Sequence, residues 1–163
     1  IVVSDGLNAL AIMDDGHLVP FLEQLRAELA KRGYRVAAEN IAFGDAITLK
    51  RVEADLSRAD GVVPLRLTWR TTRRLDRRYK VFVHIGATEA PPVAQNDSEP
   101  EAGYAPSNGW PPNTDIRDER GVWLKPGTPA GRWGVFIGLY DTATGERLGE
   151  RVKVGEVTVT GSR

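Results

Sequence analysis

From residue 47 onward the sequence alternates apolar and polar side chains, and this period of two constrains the fold more than any other feature. In "VPLRLTWRT" (63–71), Leu65, Leu67 and Trp69 alternate with Arg66, Thr68 and Arg70. Such alternation is typical of a β-strand with one buried face. The same period occurs in six further segments: 47–56, 79–87, 92–97, 118–125, 131–141 and 152–160.

Turn-forming residues separate these segments, and seven or eight short strands at this spacing predict a mainly β chain folded as an antiparallel β-sandwich. The 163 residues, 41% of them hydrophobic, are enough for one domain with a real core. We assign residues 43–163 to the sandwich domain, with Leu65, Leu67 and Trp69 facing its interior.

In residues 1–42 the apolar side chains recur at a different spacing. A β-branched run at 1–3 ends in the turn-forming "SDG", and Leu18, Phe21, Leu22, Leu25 and Leu29 have the spacing of one helix face. Residues 34–41 then return to an extended pattern. The sequence therefore predicts a short strand–helix–strand segment over 1–42, an α/β unit distinct from the sandwich.

Composition excludes several classes of partner and site. The 22 basic and 22 acidic residues cancel, so no net field favours nucleic acid. The chain has no cysteine, which excludes disulfides, thiolate metal sites and cysteine nucleophiles. No apolar run reaches the roughly 18 to 20 residues that span a bilayer, so we expect no membrane segment in this chain.

Asp97, Trp110 and Asp118 are the candidate ligand-binding residues. They flank or occupy the proline-rich connection at 98–114, which we expect to be an ordered loop or lid because a tryptophan so far from any strand usually docks on something. An aromatic ring flanked by carboxylates can stack on a sugar and bond to its hydroxyls. The alternative is structural: Trp110 closes the end of the sandwich while Asp97 and Asp118 fix turns.

Other residues favour structural interpretations. Ser4 and Asp5 fit a turn better than a hydrolase site, and Asp14, Asp15 and His17 fit a helix N-terminus better than a metal site. His84 is expected to be a packed or edge residue. Trp69, Trp123 and Trp133 lie on predicted strands and are expected to be mostly in the core. We predict no catalytic residue and no metal ligand.

The segments "PLRLTWR" (64–70), "LDRRYKVFVHI" (75–85), "VAQND" (93–97), "PSNGW" (106–110) and "PAGRWGVFIGLYDTATGERL" (129–148) carry a resemblance. Residues 43–160 resemble the soluble C-terminal β-sandwich that follows the membrane helices of some bacterial glycosyltransferases, the dolichyl-phosphate-mannose mannosyltransferase-like enzymes. The resemblance implies a non-catalytic accessory module outside the cytoplasm, since the family's transfer chemistry belongs to a membrane-embedded part absent here.

The segment "IVVSDGLNALAI" and the helix pattern after it resemble part of the small subunit of ethanolamine ammonia-lyase. That resemblance covers residues 1–41 and implies a cytoplasmic, adenosylcobalamin-dependent lyase, although no cobalamin ligand is carried over to this chain. "GERLGE" (145–150) is similar to a corrinoid-contacting stretch of that family, but we assign it to a hairpin turn. Two resemblances that meet near residues 41–44 indicate a chimera or a fragment.

The sequence thus favours a non-enzymatic accessory module that binds a glycan or another protein domain and needs no cofactor. Two alternatives remain: a lyase-subunit fragment fused to an unrelated β domain, in which adenosylcobalamin would be the cofactor, or a structural chain with no ligand.

Overall fold

The computed structural model of the chain describes residues 34–44, 46–56 and 61–160, which form eight strands in two antiparallel sheets. The strands are β1 (Tyr34–Phe43), β2 (Ile47–Asp55), β3 (Val62–Thr71), β4 (Tyr79–Gly86), β5 (Ala94–Ser98), β6 (Ile116–Trp123), β7 (Gly131–Asp141) and β8 (Val152–Val159). The first sheet has the order β1-β2-β3-β6 and the second β5-β4-β7-β8. The predicted antiparallel β-sandwich is confirmed.

The alternating side chains form the core as the sequence predicts. On β3, Leu65, Leu67 and Trp69 are buried and their neighbours point outward. Val81, Val83 and Ile85 of β4 face them from the second sheet. Burial of these apolar side chains drives the two sheets together, at roughly 1.5–3 kcal/mol for each fully buried side chain.

The strand predicted at 34–41 belongs to the sandwich. β1 runs antiparallel to β2 from Tyr34, opposite Asp55, to Phe43, opposite Ile47. The predicted boundary between residues 42 and 43 therefore falls within a strand of the first sheet. The first strand and the helix predicted for residues 1–33, with Ser4, Asp5, Asp14, Asp15 and His17, lie outside the described residues.

The pairing registers define two ends of the sandwich. At the loop end, Trp69 is opposite Ile116 and Tyr79 is opposite Asp141, and the connections 72–78, 99–115 and 142–151 are found here. At the entry end, β1 begins and Val62 is opposite Trp123. No helix within the described ranges has the length and apolar character to cross a membrane.

Candidate functional site

Trp110 lies inside the molecule. Its exposed fraction is 3%, its ring centroid is 6.3 Å from that of Trp69 with an interplanar angle of 29°, and its Nε1 donates a 2.9 Å hydrogen bond to the carbonyl oxygen of Ala105. The expectation that this tryptophan docks on the sandwich is confirmed. With so little of the ring exposed, Trp110 has no face on which a sugar could stack.

Asp118 is also buried, on the inner face of β6, with an exposed fraction of 0%. Its Oδ2 accepts hydrogen bonds from Arg120 Nη2 at 2.6 Å and from Trp69 Nε1 at 3.3 Å, and its Oδ1 accepts one from the Glu101 backbone N–H at 2.9 Å. A buried carboxylate needs partners of this kind to offset its desolvation. Asp118 is thus part of an internal network.

Asp97 points the other way. On β5 the side chain of Asn96 faces the first sheet, where its Nδ2 donates to the carbonyl oxygen of Gly121, so Asp97 faces outward. There its Oδ1 lies 3.2 Å from Nε2 of His84 on β4. The structure therefore does not bring Asp97 together with Trp110 and Asp118.

The connection at 99–115 is ordered, as predicted, and the buried network holds it in place. Glu101 and Ala102 adopt positive φ angles of 51° and 53°, a conformation that costs residues with a Cβ some energy. Two hydrogen bonds hold Glu101: its N–H donates to Asp118, and its Oε1 accepts from the Glu119 N–H at 2.6 Å. Tyr104 projects from this loop and is 93% exposed.

A hollow on the outer face of the first sheet is the candidate site. It has a volume of about 420 Å³, and Gly121 forms part of its lining; a Cβ at Gly121 would lie 2.7 Å from Cγ1 of Val62. The lack of a side chain at this position leaves the space open. The other lining residues are Glu53, Asp55, Pro64, Leu65, Arg66, Glu119 and Arg120.

Two exposed apolar side chains lie beyond the lining residues Pro64 and Gly121, towards the entry end. Trp123 is 59% exposed and Val62 is 54% exposed, and they lie opposite each other on β6 and β3. Trp123 follows Gly121 by two residues, so it lies on the same face about 7 Å further along the strand. We call this region, formed by Val62, Pro64, Gly121, Trp123 and the charged side chains beside them, the Trp123 surface.

The charged side chains of the Trp123 surface form a row across three strands. Arg66 on β3 lies opposite Glu53 on β2 and Glu119 on β6. Its Nε is 2.9 Å from Glu119 Oε1 and its Nη1 is 3.7 Å from Glu53 Oε2. All three side chains are partly solvent-exposed, so the row offers both hydrogen-bond donors and acceptors along the hollow.

The sequence analysis placed Trp123 mostly in the core, and this expectation is wrong. Val122 and Leu124 are buried on either side of it, so the alternation of the strand turns Trp123 outward. That parity was readable in "GVWLK" (121–125). A large aromatic side chain is usually buried, but on a strand the burial of its neighbours decides the direction in which it points.

The outer face of the second sheet carries a different cluster. The His84 ring lies 4.6 Å from the Phe82 ring, and Phe82 lies 6.2 Å from Tyr140. Burial lowers the pKa of His84, an effect that Asp97 partly opposes and Arg151 and Arg147 reinforce. Burial, with a smaller contribution from Asp97, raises the pKa of Tyr140. His84 is thus packed, as expected.

Among the described residues, no group of three His, Asp or Glu side chains could hold a metal ion.

Comparison with known proteins shows a similarity of fold. No family model and no curated protein matches the sequence. Among solved structures, the chain is similar to a Niemann-Pick type C2 protein from the Japanese carpenter ant, with a TM-score of 0.51 and 8% sequence identity. The match covers 75% of this chain and 98% of the ant protein. At this identity the likeness concerns the fold alone and supports the β-sandwich architecture.

Proposed function

We propose that this β-sandwich is a non-catalytic binding module that holds a saccharide on the Trp123 surface. The observation that carries the proposal is an indole more than half exposed beside a hollow lined by carboxylates and a guanidinium. Exposed apolar side chains that lie next to one another, as Trp123 and Val62 do, mark interaction sites better than a single exposed ring, because a contiguous apolar surface is unfavourable in water.

The arrangement fits a sugar ring better than an entirely apolar ligand. The C–H face of one pyranose can lie on Trp123, and the hydroxyls of a linked sugar unit in the hollow can then reach Arg66 and Glu119. Asp55, which also lines the hollow, adds a further carboxylate on the same side. A binding site of this type combines an apolar platform with a few polar groups that fix orientation.

The charged row does not resemble the carboxylate pair of a glycosidase. Such enzymes leave open space between two carboxyl groups for the scissile bond and a water molecule. Here Arg66 lies between Glu53 and Glu119 and contacts both. This geometry supports binding without hydrolysis.

The proposal is tested by screening the whole chain on a glycan array and then measuring affinity for a retained glycan by calorimetry. Trp123→Ala should weaken binding at least tenfold, because removing a central aromatic platform costs about 2 kcal/mol. Glu119→Gln should weaken binding by a smaller factor, since it removes charge but keeps the shape.

Tyr104→Ala is the matched control, because it removes another exposed aromatic ring at the opposite end of the sandwich. Affinity should stay within twofold of the unaltered chain. Equal losses in the Trp123 and Tyr104 variants would contradict the site. An array with no retained glycan would contradict the ligand class and would favour a protein domain docking on the exposed Trp123 and Val62.

We further infer, from the sequence resemblance alone, that the module accompanies a bacterial membrane glycosyltransferase. Its extracytoplasmic position would then give it access to glycans. The alternative, a lyase-subunit piece fused to an unrelated β domain, depends on residues 1–41. The gene sequence on either side distinguishes them: a frame encoding several membrane helices supports the first, and one encoding a lyase subunit supports the second. Corrinoid binding, followed by absorbance, would also support the second.

A further inference from the structure

Lys80 and Arg147 flank Tyr140 on the outer face of the second sheet. Lys80 on β4 is opposite Tyr140 on β7, and a bridge pairs Tyr140 with Arg147 on its other side. Lys80 Nζ lies 6.0 Å from the centroid of the Tyr140 ring, and Arg147 Cζ lies 5.5 Å from the centroid of the Phe82 ring. The two cations therefore border one aromatic floor, formed by Phe82 and Tyr140.

Neither cation has a carboxylate partner within the part of the chain that the structure describes. Several other basic side chains are paired: Arg70 with Asp115, Arg78 with Glu99, and Arg132 and Lys153 with Glu156. The acidic group near the aromatic floor, Asp97, lies instead against His84. Two unpaired positive charges on either side of Tyr140 repel each other, and an anion between them would remove that cost.

We propose that Lys80 and Arg147 bind a phosphate group over the edge of the Phe82–Tyr140 floor, at a site separate from the Trp123 surface. A phosphate monoester carries a charge of about −1.5 to −2 at neutral pH, which matches two cations better than a carboxylate does. The guanidinium can donate two hydrogen bonds to phosphate oxygens and the ammonium can supply a point charge. The Tyr140 hydroxyl is a further donor at the same floor.

The rest of this face is compatible with an anion. Arg151 lies over the Phe136 ring at 4.5 Å and donates to the carbonyl oxygen of Thr88, so it adds positive charge without closing the site. Asp97 is the opposing charge, and its contact with His84 holds it on the β5 side of the cluster. The phosphate can belong to a soluble phosphorylated molecule or to a lipid headgroup.

Two probes distinguish these sources. Inorganic phosphate is titrated into the whole chain while the resonances of Tyr140 and His84 are followed by NMR. Cosedimentation is then measured with phosphatidylcholine vesicles containing 20% phosphatidic acid, against phosphatidylcholine alone. Binding of phosphate indicates a soluble ligand, whereas selective binding of the phosphatidic acid vesicles without free phosphate indicates a headgroup; either supports the site.

The double variant Lys80→Gln/Arg147→Gln should weaken binding at least tenfold. The charge-matched control Arg117→Gln/Lys125→Gln, altered at exposed positions of the first sheet and the β6–β7 turn, should keep it. Should the double variant fail to fold, Lys80→Gln alone retains the Arg147 contact with Phe82 and should still weaken binding about threefold. Absence of binding by both probes, or equal losses in test and control variants, would overturn the proposal.

Discussion

At the scale of single residues, His84 has the most informative surroundings. Its ring packs against Phe82, its Nε2 meets Asp97, and the positive charges of Arg147 and Arg151 lie nearby. Burial outweighs the carboxylate, so the pKa of His84 falls below its ordinary value and the neutral ring is favoured in the folded state. The unfolded chain therefore binds more protons than the folded chain as the pH falls below the ordinary histidine pKa.

This linkage predicts a pH-dependent stability. The contribution of His84 is fully present above the ordinary histidine pKa of about 6.5 and is lost as the pH falls towards the lower folded-state pKa. Urea unfolding of the His84→Gln variant should show a smaller loss of stability between pH 7.5 and pH 5 than the unaltered chain. His17→Gln, which alters the other histidine, serves as the control. A His84 pKa above 6.5 by NMR titration would contradict the prediction.

The sequence predicted single residues unevenly. It gave the inward direction of Leu65 and Trp69, because strict alternation fixes which face a strand residue occupies. The contact of His84 with Asp97 could not be predicted in this way. It requires the register between β4 and β5, and the sequence of the connection between these strands does not determine that register. From sequence, Asp97 and Asp118 were also grouped around Trp110 as carboxylates flanking an aromatic ring, although strand parity turns Asp97 outward and Asp118 inward.

At the scale of elements, the 99–115 connection behaves as part of the core. A turn at Pro100–Gly103, with Glu101 and Ala102 in the left-handed region, and a short 3-10 turn at Ser107–Gly109 shape it. Ser107 Oγ accepts a 2.9 Å hydrogen bond from the Tyr79 N–H and so joins the loop to the start of β4. Trp110 then seals the loop end against Trp69. A tryptophan among prolines was enough to predict the docking, but not the partner on which it docks.

Trp110→Ala should destabilise the whole fold by about 3 to 5 kcal/mol, because it leaves a cavity against Trp69. Trp110→Phe should cost less, since an aromatic ring still fills most of the space. Urea unfolding followed by circular dichroism measures both. In a chain where Trp110 instead formed a ligand platform, Trp110→Ala would abolish glycan binding while the unfolding midpoint stayed unchanged, and that result would contradict the packing described above.

At the scale of the whole molecule, the buried ion pair of Asp118 and Arg120 joins the two sheets. Arg120 Nη1 donates to the carbonyl oxygen of Val81 at 3.0 Å and to Asn96 Oδ1 at 3.3 Å, both in the second sheet. Asp118, in the first sheet, orients the guanidinium. A buried pair of this kind adds little net stability. Removing one partner is nevertheless strongly destabilising, because the other charge then stays buried with nothing to offset its desolvation.

Asp118→Ala should therefore lower the free energy of unfolding by about 3 to 5 kcal/mol. Asp118→Val/Arg120→Leu should recover part of that loss, because no charge remains buried. Asp115→Ala, which breaks the exposed ion pair with Arg70, is the control and should cost no more than about 1 kcal/mol. Equal losses in the Asp118 and Asp115 variants, measured by urea unfolding, would contradict the role of the buried pair.

The architecture as a whole was predictable from sequence, since seven of the eight described strands coincide with alternating segments. The remaining strand, β1, was recognised as extended but assigned to another unit. Its pairing with β2 depends on a turn at Gly44, whose φ of 59° suits glycine. The apolar residues before β1 have the spacing of a helix. Because a helix pattern next to a strand suggests an α/β unit, β1 was not assigned to the sandwich.

The entry end has a further consequence for how the module would act. β1 and β6 are the two edges of the first sheet, three strand spacings apart, so the backbone at Tyr34 lies about 14 Å from the strand that carries Trp123. A ligand held on the Trp123 surface, as proposed above, would therefore lie near the point where the chain enters β1. A sugar attached to polypeptide near the start of β1 would meet this surface at an effective concentration of about millimolar, so that even weak binding would hold it there.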